Sequence, residues 1–114
     1  MSVQGRTEGF AIEAVSDGDE YRIRLSGALD VAACEDVIAA IWRGESSDTE
    51  RTVIDVDALE FIDSTGLRLL LAANRRAELT GRELRFTRGS GYVADMFSYT
   101  ALDQTLPFVD LPAR

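Results

Sequence analysis

Ser64 is the hydroxyl whose neighbours best equip it for chemistry. It lies in Asp63-Ser64-Thr65-Gly66, preceded by Val53-Ile54-Asp55-Val56, Leu59, Phe61 and Ile62, and followed by Leu67-Arg68-Leu69-Leu70-Leu71-Ala72-Ala73. An apolar β-branched run, a short acidic loop, a hydroxyl, a glycine and a leucine-rich run describe a strand that gives way to a helix. A serine at a helix start either caps the helix or is a group on which chemistry is done.

Serine catalysis requires a base beside the nucleophile. The chain has no histidine, and all 12 of its basic residues are arginine, so neither a serine–histidine pair nor a serine–lysine dyad can be assembled. The motif is not Gly-x-Ser-x-Gly, and there is no Gly-x-x-x-x-Gly-Lys phosphate loop. The carboxylate pairs Asp55/Asp57 and Asp17/Asp19 could act as acid and base, but adjacent acids of this kind are ordinarily a solvated surface. No catalytic residue is assigned, and the chain is expected not to be an enzyme. Cys34, the single cysteine, excludes an internal disulfide, and without histidine no zinc site or cofactor is expected.

A phosphoryl-acceptor role for Ser64 needs less equipment. Backbone N–H groups at a helix start, with the helix dipole behind them, stabilise a phosphate on the serine oxygen. The modification adds a charge of about −1.5 to −2 at neutral pH. Placed beside Asp63 and near Asp30, that charge meets no lysine or histidine, and like-charge repulsion would loosen a partner docked over the loop. Gly66, without a Cβ, leaves room for another backbone or a nucleotide. The plainer alternative is that Ser64 only caps the helix and Gly66 only relieves crowding.

The elements that must position this loop follow from periodicity. Residues 1–9 mix Gly, Arg, Thr and Glu and are expected to form a loose tail ahead of one domain over 10–112. Phe10, Ile12 and Ala14 alternate with polar or small neighbours, as do Tyr21, Ile23 and Leu25, and an Asp17-Gly18 turn joins the two runs into a β-hairpin. Asp30 is placed to cap a helix over 31–43 carrying Val37, Ile38 and Ile41, with Trp42 placed to pack against the sheet or a partner and expected to be a buried aromatic. Thr52 to Val56 reads as a central strand covered on both faces. A second helix spans 64–79, with Leu67, Leu70, Leu71 and Ala77 as its buried stripe and Gly81 as its C-terminal cap. A strand over 83–87, a short helix over 93–97 and an edge strand over 105–109 complete the chain, Pro107 confining the last to an edge. The fold class is α/β: a small mixed sheet opened by a hairpin, with helices packed on it.

At 114 residues there is room for one hydrophobic core. The net charge of −8 argues against direct nucleic-acid binding. No apolar run approaches the roughly 20 residues of a membrane span, so no membrane insertion is expected. Residues 1–6 lack the apolar core of a secretory signal, and a cytoplasmic protein is expected. The acidity either promotes solubility or suits a basic partner.

Three segments together resemble the STAS domain, which is shared by sulfate transporters and anti-sigma factor antagonists. They are Ser26-Gly27-Ala28-Leu29-Asp30, Thr52-Val53-Ile54-Asp55-Val56 and Phe61-Ile62-Asp63-Ser64-Thr65-Gly66-Leu67. Ser90-Gly91-Tyr92-Val93-Ala94-Asp95-Met96-Phe97 resembles the family's late helix, with Ser90-Gly91 where many relatives have Ser-Pro. The resemblance implies an anti-sigma factor antagonist regulating transcription by partner switching. Such a protein binds an anti-sigma factor that is itself a serine kinase, is released when phosphorylated, and is restored by a serine phosphatase. Carried over by motif, Ser64 would be the acceptor and Asp63 the acid that orients its hydroxyl. Asp30, Thr65 and Gly66 would belong to the partner-binding loop, Thr65 as a secondary acceptor. The same family resemblance also admits an accessory subunit of a membrane lipid ABC transporter, or a scaffold protein of a stress-sensing assembly.

Overall fold

The computed structural model describes the backbone of residues 2–7 and residues 9–110 in full. Five strands form one sheet in the order β1 (Ser2–Thr7), β2 (Phe10–Asp17), β3 (Glu20–Leu29), β4 (Arg51–Ile62) and β5 (Glu83–Phe86). The first three run antiparallel, and β3, β4 and β5 run parallel, which is the mixed sheet expected. Helix α1 (Cys34–Glu45) connects β3 to β4, α2 (Ser64–Thr80) connects β4 to β5, and α3 (Gly91–Tyr99) follows β5.

The alternating residues of the hairpin fix which face is buried. Ile12 pairs with Leu25 and Ala14 with Ile23, and the apolar row continues from Ile23 to Ile54 and on to Phe86. These residues join Val37, Ile41, Leu67 and Leu70 of α1 and α2 in a single core. Removing several such side chains from water is the main drive for folding, at about 1.5–3 kcal/mol each. On the reverse face Glu13, Arg24 and Asp55 stand in register across β2, β3 and β4, alternating in charge as favourable cross-strand neighbours do. Thr52 to Val56 are all buried, as a central strand requires.

Local chemistry closes the hairpin and α2. Gly18 supplies a left-handed φ of 61° in the hairpin turn, and Gly81 ends α2 at a φ of 73°. Asp55, Asp57 and Thr87 are tied into the frame. The Thr87 hydroxyl accepts the Val56 N–H at 2.8 Å and donates to Asp55 Oδ1 at 3.3 Å, while Asp57 Oδ1 accepts the Gly89 N–H at 3.0 Å. The Asp55/Asp57 pair therefore anchors β4 to the segment after β5.

Several expectations are corrected. The start of the chain is a strand: Ser2–Thr7 pairs with β2 from Ser2↔Val15 to Thr7↔Phe10, a backbone ladder that does not depend on apolar alternation. Met1, Glu8 and residues 111–114 lie outside the described residues. Trp42 is 57% exposed, because Val37, Ala40 and Ile41 already fill the core side of α1 and position 42 falls about 100° further round. Ile38 is also exposed, and Leu71 is half-buried rather than part of the α2 core stripe, where Asn74 is buried instead. The expected strand over 105–109 contracts to one bridge, Phe86↔Phe108, flanked by hydrogen bonds from Phe86 N–H to Pro107 C=O and from Val109 N–H to Phe86 C=O. Pro107, with no N–H of its own, limits that ladder.

Candidate functional site

Because β3 and β4 are parallel, their C-terminal ends lie side by side, Leu29 paired with Ile62. The Asp63 N–H donates to the Leu29 carbonyl at 3.2 Å and extends that pairing by one residue. Each strand then delivers an aspartate and a helical turn. Asp30 Oδ1 accepts the Ala32 N–H at 3.1 Å and caps a 3-10 turn, Val31–Ala33, that leads into α1. Asp63 Oδ1 accepts the Gly66 N–H at 2.9 Å and caps α2 directly. Both aspartates are in extended backbone, the geometry of an N-cap.

The cap of α2 is therefore Asp63, and Ser64 is the first residue inside the helix. Its side chain is exposed and makes no hydrogen bond among the described residues. Sequence reasoning assigned Asp63 to orient the serine hydroxyl. In the structure Asp63 Oδ1 accepts the Gly66 N–H, one of the donors that a helix start leaves unpaired. Thr65 is half-buried and faces the groove between α1 and α2. Gly66 is buried: a Cβ there would stand 2.8 Å from both the Leu29 carbonyl oxygen and Ile62 Cγ1. The backbone that approaches Gly66 closely is the chain's own β3.

Behind the loop sits Cys34, whose thiol donates to the Asp30 carbonyl at 3.3 Å. Burial first, then the negative charges of Asp63 and Asp30, hold its pKa above the ordinary 9.0, so the thiol is neutral at physiological pH.

Two grooves flank α2. One, of about 380 Å³, is predominantly apolar and runs between α1 and α2 past Cys34, Ile38, Trp42, Thr65 and Arg68. The other, of about 480 Å³, begins at Ser64 and passes Leu67, Leu71 and Leu102. Further round, Phe61 stacks on Tyr92 with ring centroids 5.2 Å apart, both partly exposed. Sequence reasoning missed Arg68 and this apolar surface. The exposed side of each amphipathic helix carries its own apolar residues, and periodicity alone assigns those to the core. Among the described residues there is no cluster of acids and cysteine fit to hold a metal, and no helix long and apolar enough to cross a membrane.

The sheet runs β1-β2-β3-β4-β5, its parallel strands are joined by helices, and a hydroxyl stands at the start of the helix after β4. The chain belongs to the STAS-domain family: the family model described as "Mlab, STAS domain" matches residues 12–110. Among curated proteins, none matches. Solved structures share the fold. An anti-sigma factor antagonist from Mycobacterium paratuberculosis superposes with a TM-score of 0.77 at 20% identity, over 93% of this chain and 90% of that one. The Bacillus cell fate determinant SpoIIAA in its phosphorylated form gives 0.65 at 22% identity, over 87% and 91% of the respective chains. An antisigma-factor antagonist STAS domain from Rhodobacter sphaeroides gives 0.53 at 27% identity, over 68% of this chain and 84% of that one.

Proposed function

We propose that this protein is a cytoplasmic anti-sigma factor antagonist that binds a serine-kinase anti-sigma factor and is released by phosphorylation of Ser64. The observation that carries this is the division of labour at the start of α2. Asp63 caps the helix and Gly66 seats it, leaving an exposed hydroxyl with no structural duty. The names of the similar structures, one of them a phosphorylated form, support the same role.

In the reaction the kinase transfers the γ-phosphoryl group of ATP to Ser64 Oγ. The O–H bond breaks, its proton passes to the kinase's base, and ADP leaves. The product is an anion beside Asp63 and Asp30, on the surface a partner must cover, where added charge and its desolvation weaken docking. A serine phosphatase reverses the change by hydrolysis. Binding is the chain's own task, and the chemistry belongs to the kinase and phosphatase.

The test is to recover the kinase by pull-down from native cytosol, incubate it with the protein and ATP, and map the phosphate by mass spectrometry. Phosphate on Ser64, lost in Ser64→Ala, is the expected result; modification elsewhere, or none, contradicts the proposal.

A second reading is favoured by the matching family model's own description, Mlab: an accessory subunit docked on the ATPase of a membrane lipid ABC transporter. It requires a binding surface but no acceptor. Recovery of a transporter ATPase in the same pull-down, with binding indifferent to Ser64→Asp, would favour it.

A further inference from the structure

Arg68 stands one turn beyond Ser64 on α2, the i,i+4 spacing at which helix side chains meet. Both residues line the same open groove. Arg68 also borders the groove on the other side of the helix, so it forms the ridge between the two. Its side chain is exposed and makes no ion pair among the described residues. Arg76, two turns further on, is by contrast held by Glu45 through hydrogen bonds of 3.0 and 3.1 Å.

The backbone at the start of α2 is partly committed. The Gly66 N–H goes to Asp63 Oδ1 and the Leu67 N–H to the Asp63 carbonyl. A dianion on Ser64 would face two carboxylates, Asp63 and Asp30, and, one turn along its own helix, the guanidinium of Arg68, which has no ion-pair partner among the described residues. The absence of lysine and histidine therefore does not leave a phosphate without a counter-charge: an arginine occupies the i+4 position.

We infer that Arg68 is the built-in counter-ion of a phosphoryl group on Ser64, so that modification turns an unpaired ridge arginine into half of a phosphoserine–arginine pair. The inference rests on Ser64 being the acceptor, as proposed above. A guanidinium offers a planar fork of donors that matches two phosphate oxygens. Phosphorylation then changes the docking surface twice: it adds negative charge at Ser64 and withdraws a positive charge from the rim of both grooves. Arg68 favours the dianionic phosphate, whereas Asp63 and Asp30 favour the monoanion.

The test needs no kinase. Phosphoserine is incorporated at position 64 during synthesis of the full chain, and the second phosphate pKa is read by phosphorus NMR titration. In the parent chain it is expected to lie about 0.2–0.4 unit below its value in Arg68→Gln, with Arg68→Lys intermediate. Equal values in the parent and Arg68→Gln, with both shown folded by circular dichroism, overturn the inference. Failure of the two proposals is distinguishable: equal pKa values dismiss the role of Arg68, whereas the expected shift with no phosphate mapped to Ser64 in the kinase incubation described above dismisses the acceptor.

Discussion

The molecule contains the same junction twice, and the differences between the copies separate structural from functional residues. At both, a strand of the parallel pair ends in a buried apolar residue, Leu29 or Ile62, and an aspartate then caps the following turn. The capping chemistry is shared and belongs to the fold. The first residue after the cap is exposed in both copies, Val31 in one and Ser64 in the other, so neither helix depends on its identity. The third residue after the cap is Ala33 in one and Gly66 in the other, and both are buried. Only α2 starts so close against β3 that a Cβ has no room. The second junction thus holds its helix directly against the sheet and places a hydroxyl at a position that folding leaves free.

The largest effect should come from breaking that close approach. Gly66→Ala is expected to cost about 1–3 kcal/mol, because the obstacle includes the Leu29 carbonyl, which cannot rotate away. Ala33 already carries a Cβ, so Ala33→Gly should cost only about 1 kcal/mol or less by comparison. Urea denaturation of the two variants measures the contrast.

Removing the caps comes next. Asp63→Ala should lose about 1 kcal/mol, since it strands the Gly66 N–H at the start of a 17-residue helix. Asp30→Ala should lose less, because the Ala32 N–H it frees lies in an exposed 3-10 turn where water can replace the carboxylate. Thermal melts at neutral pH rank them, and an equal loss would mean the two junctions are energetically alike.

Ser64→Ala, in contrast, should shift stability by no more than about 0.5 kcal/mol, as expected for an exposed residue without a partner. A larger loss would return the hydroxyl to a structural role.

The smallest effect concerns Cys34, which lies beside both aspartates. Its folded pKa is raised above 9.0, so its contribution to stability is complete below that pH and is lost as pH rises through the folded value. Cys34→Ala should flatten this alkaline decline in a pH series of melts. A phosphate on Ser64 should steepen the contrast by raising the thiol pKa further, which slower alkylation of Cys34 at mildly alkaline pH would report.

Much of this architecture was legible because it is written in period and punctuation. The hairpin came from alternation on either side of Asp17-Gly18, and α2 from a leucine stripe ended by Gly81; the observed helix runs one residue further, to Thr80. Features that depend on distant partners were not legible. The strand Ser2–Thr7 is held by backbone pairing with β2, which its mixed composition does not announce. Trp42 looked like core because a large aromatic on an amphipathic helix usually is, but Ile41 had already taken the inward position. At the site, adjacent aspartate and serine are both good caps, and only the hydrogen bond to Gly66 distinguishes them. Gly66 looked like an opening for a visitor, whereas its space is filled by β3, a contact with a residue 37 positions earlier in the chain.

The central claim, that Ser64 is a free hydroxyl whose modification releases a partner, is tested most directly by one affinity comparison. The kinase recovered from cytosol is titrated, with ADP bound and no ATP, against the unmodified chain and against the chain carrying phosphoserine at position 64. A loss of at least about tenfold, equivalent to roughly 1.4 kcal/mol, is the predicted result. Equal affinities for the two chains would contradict the account.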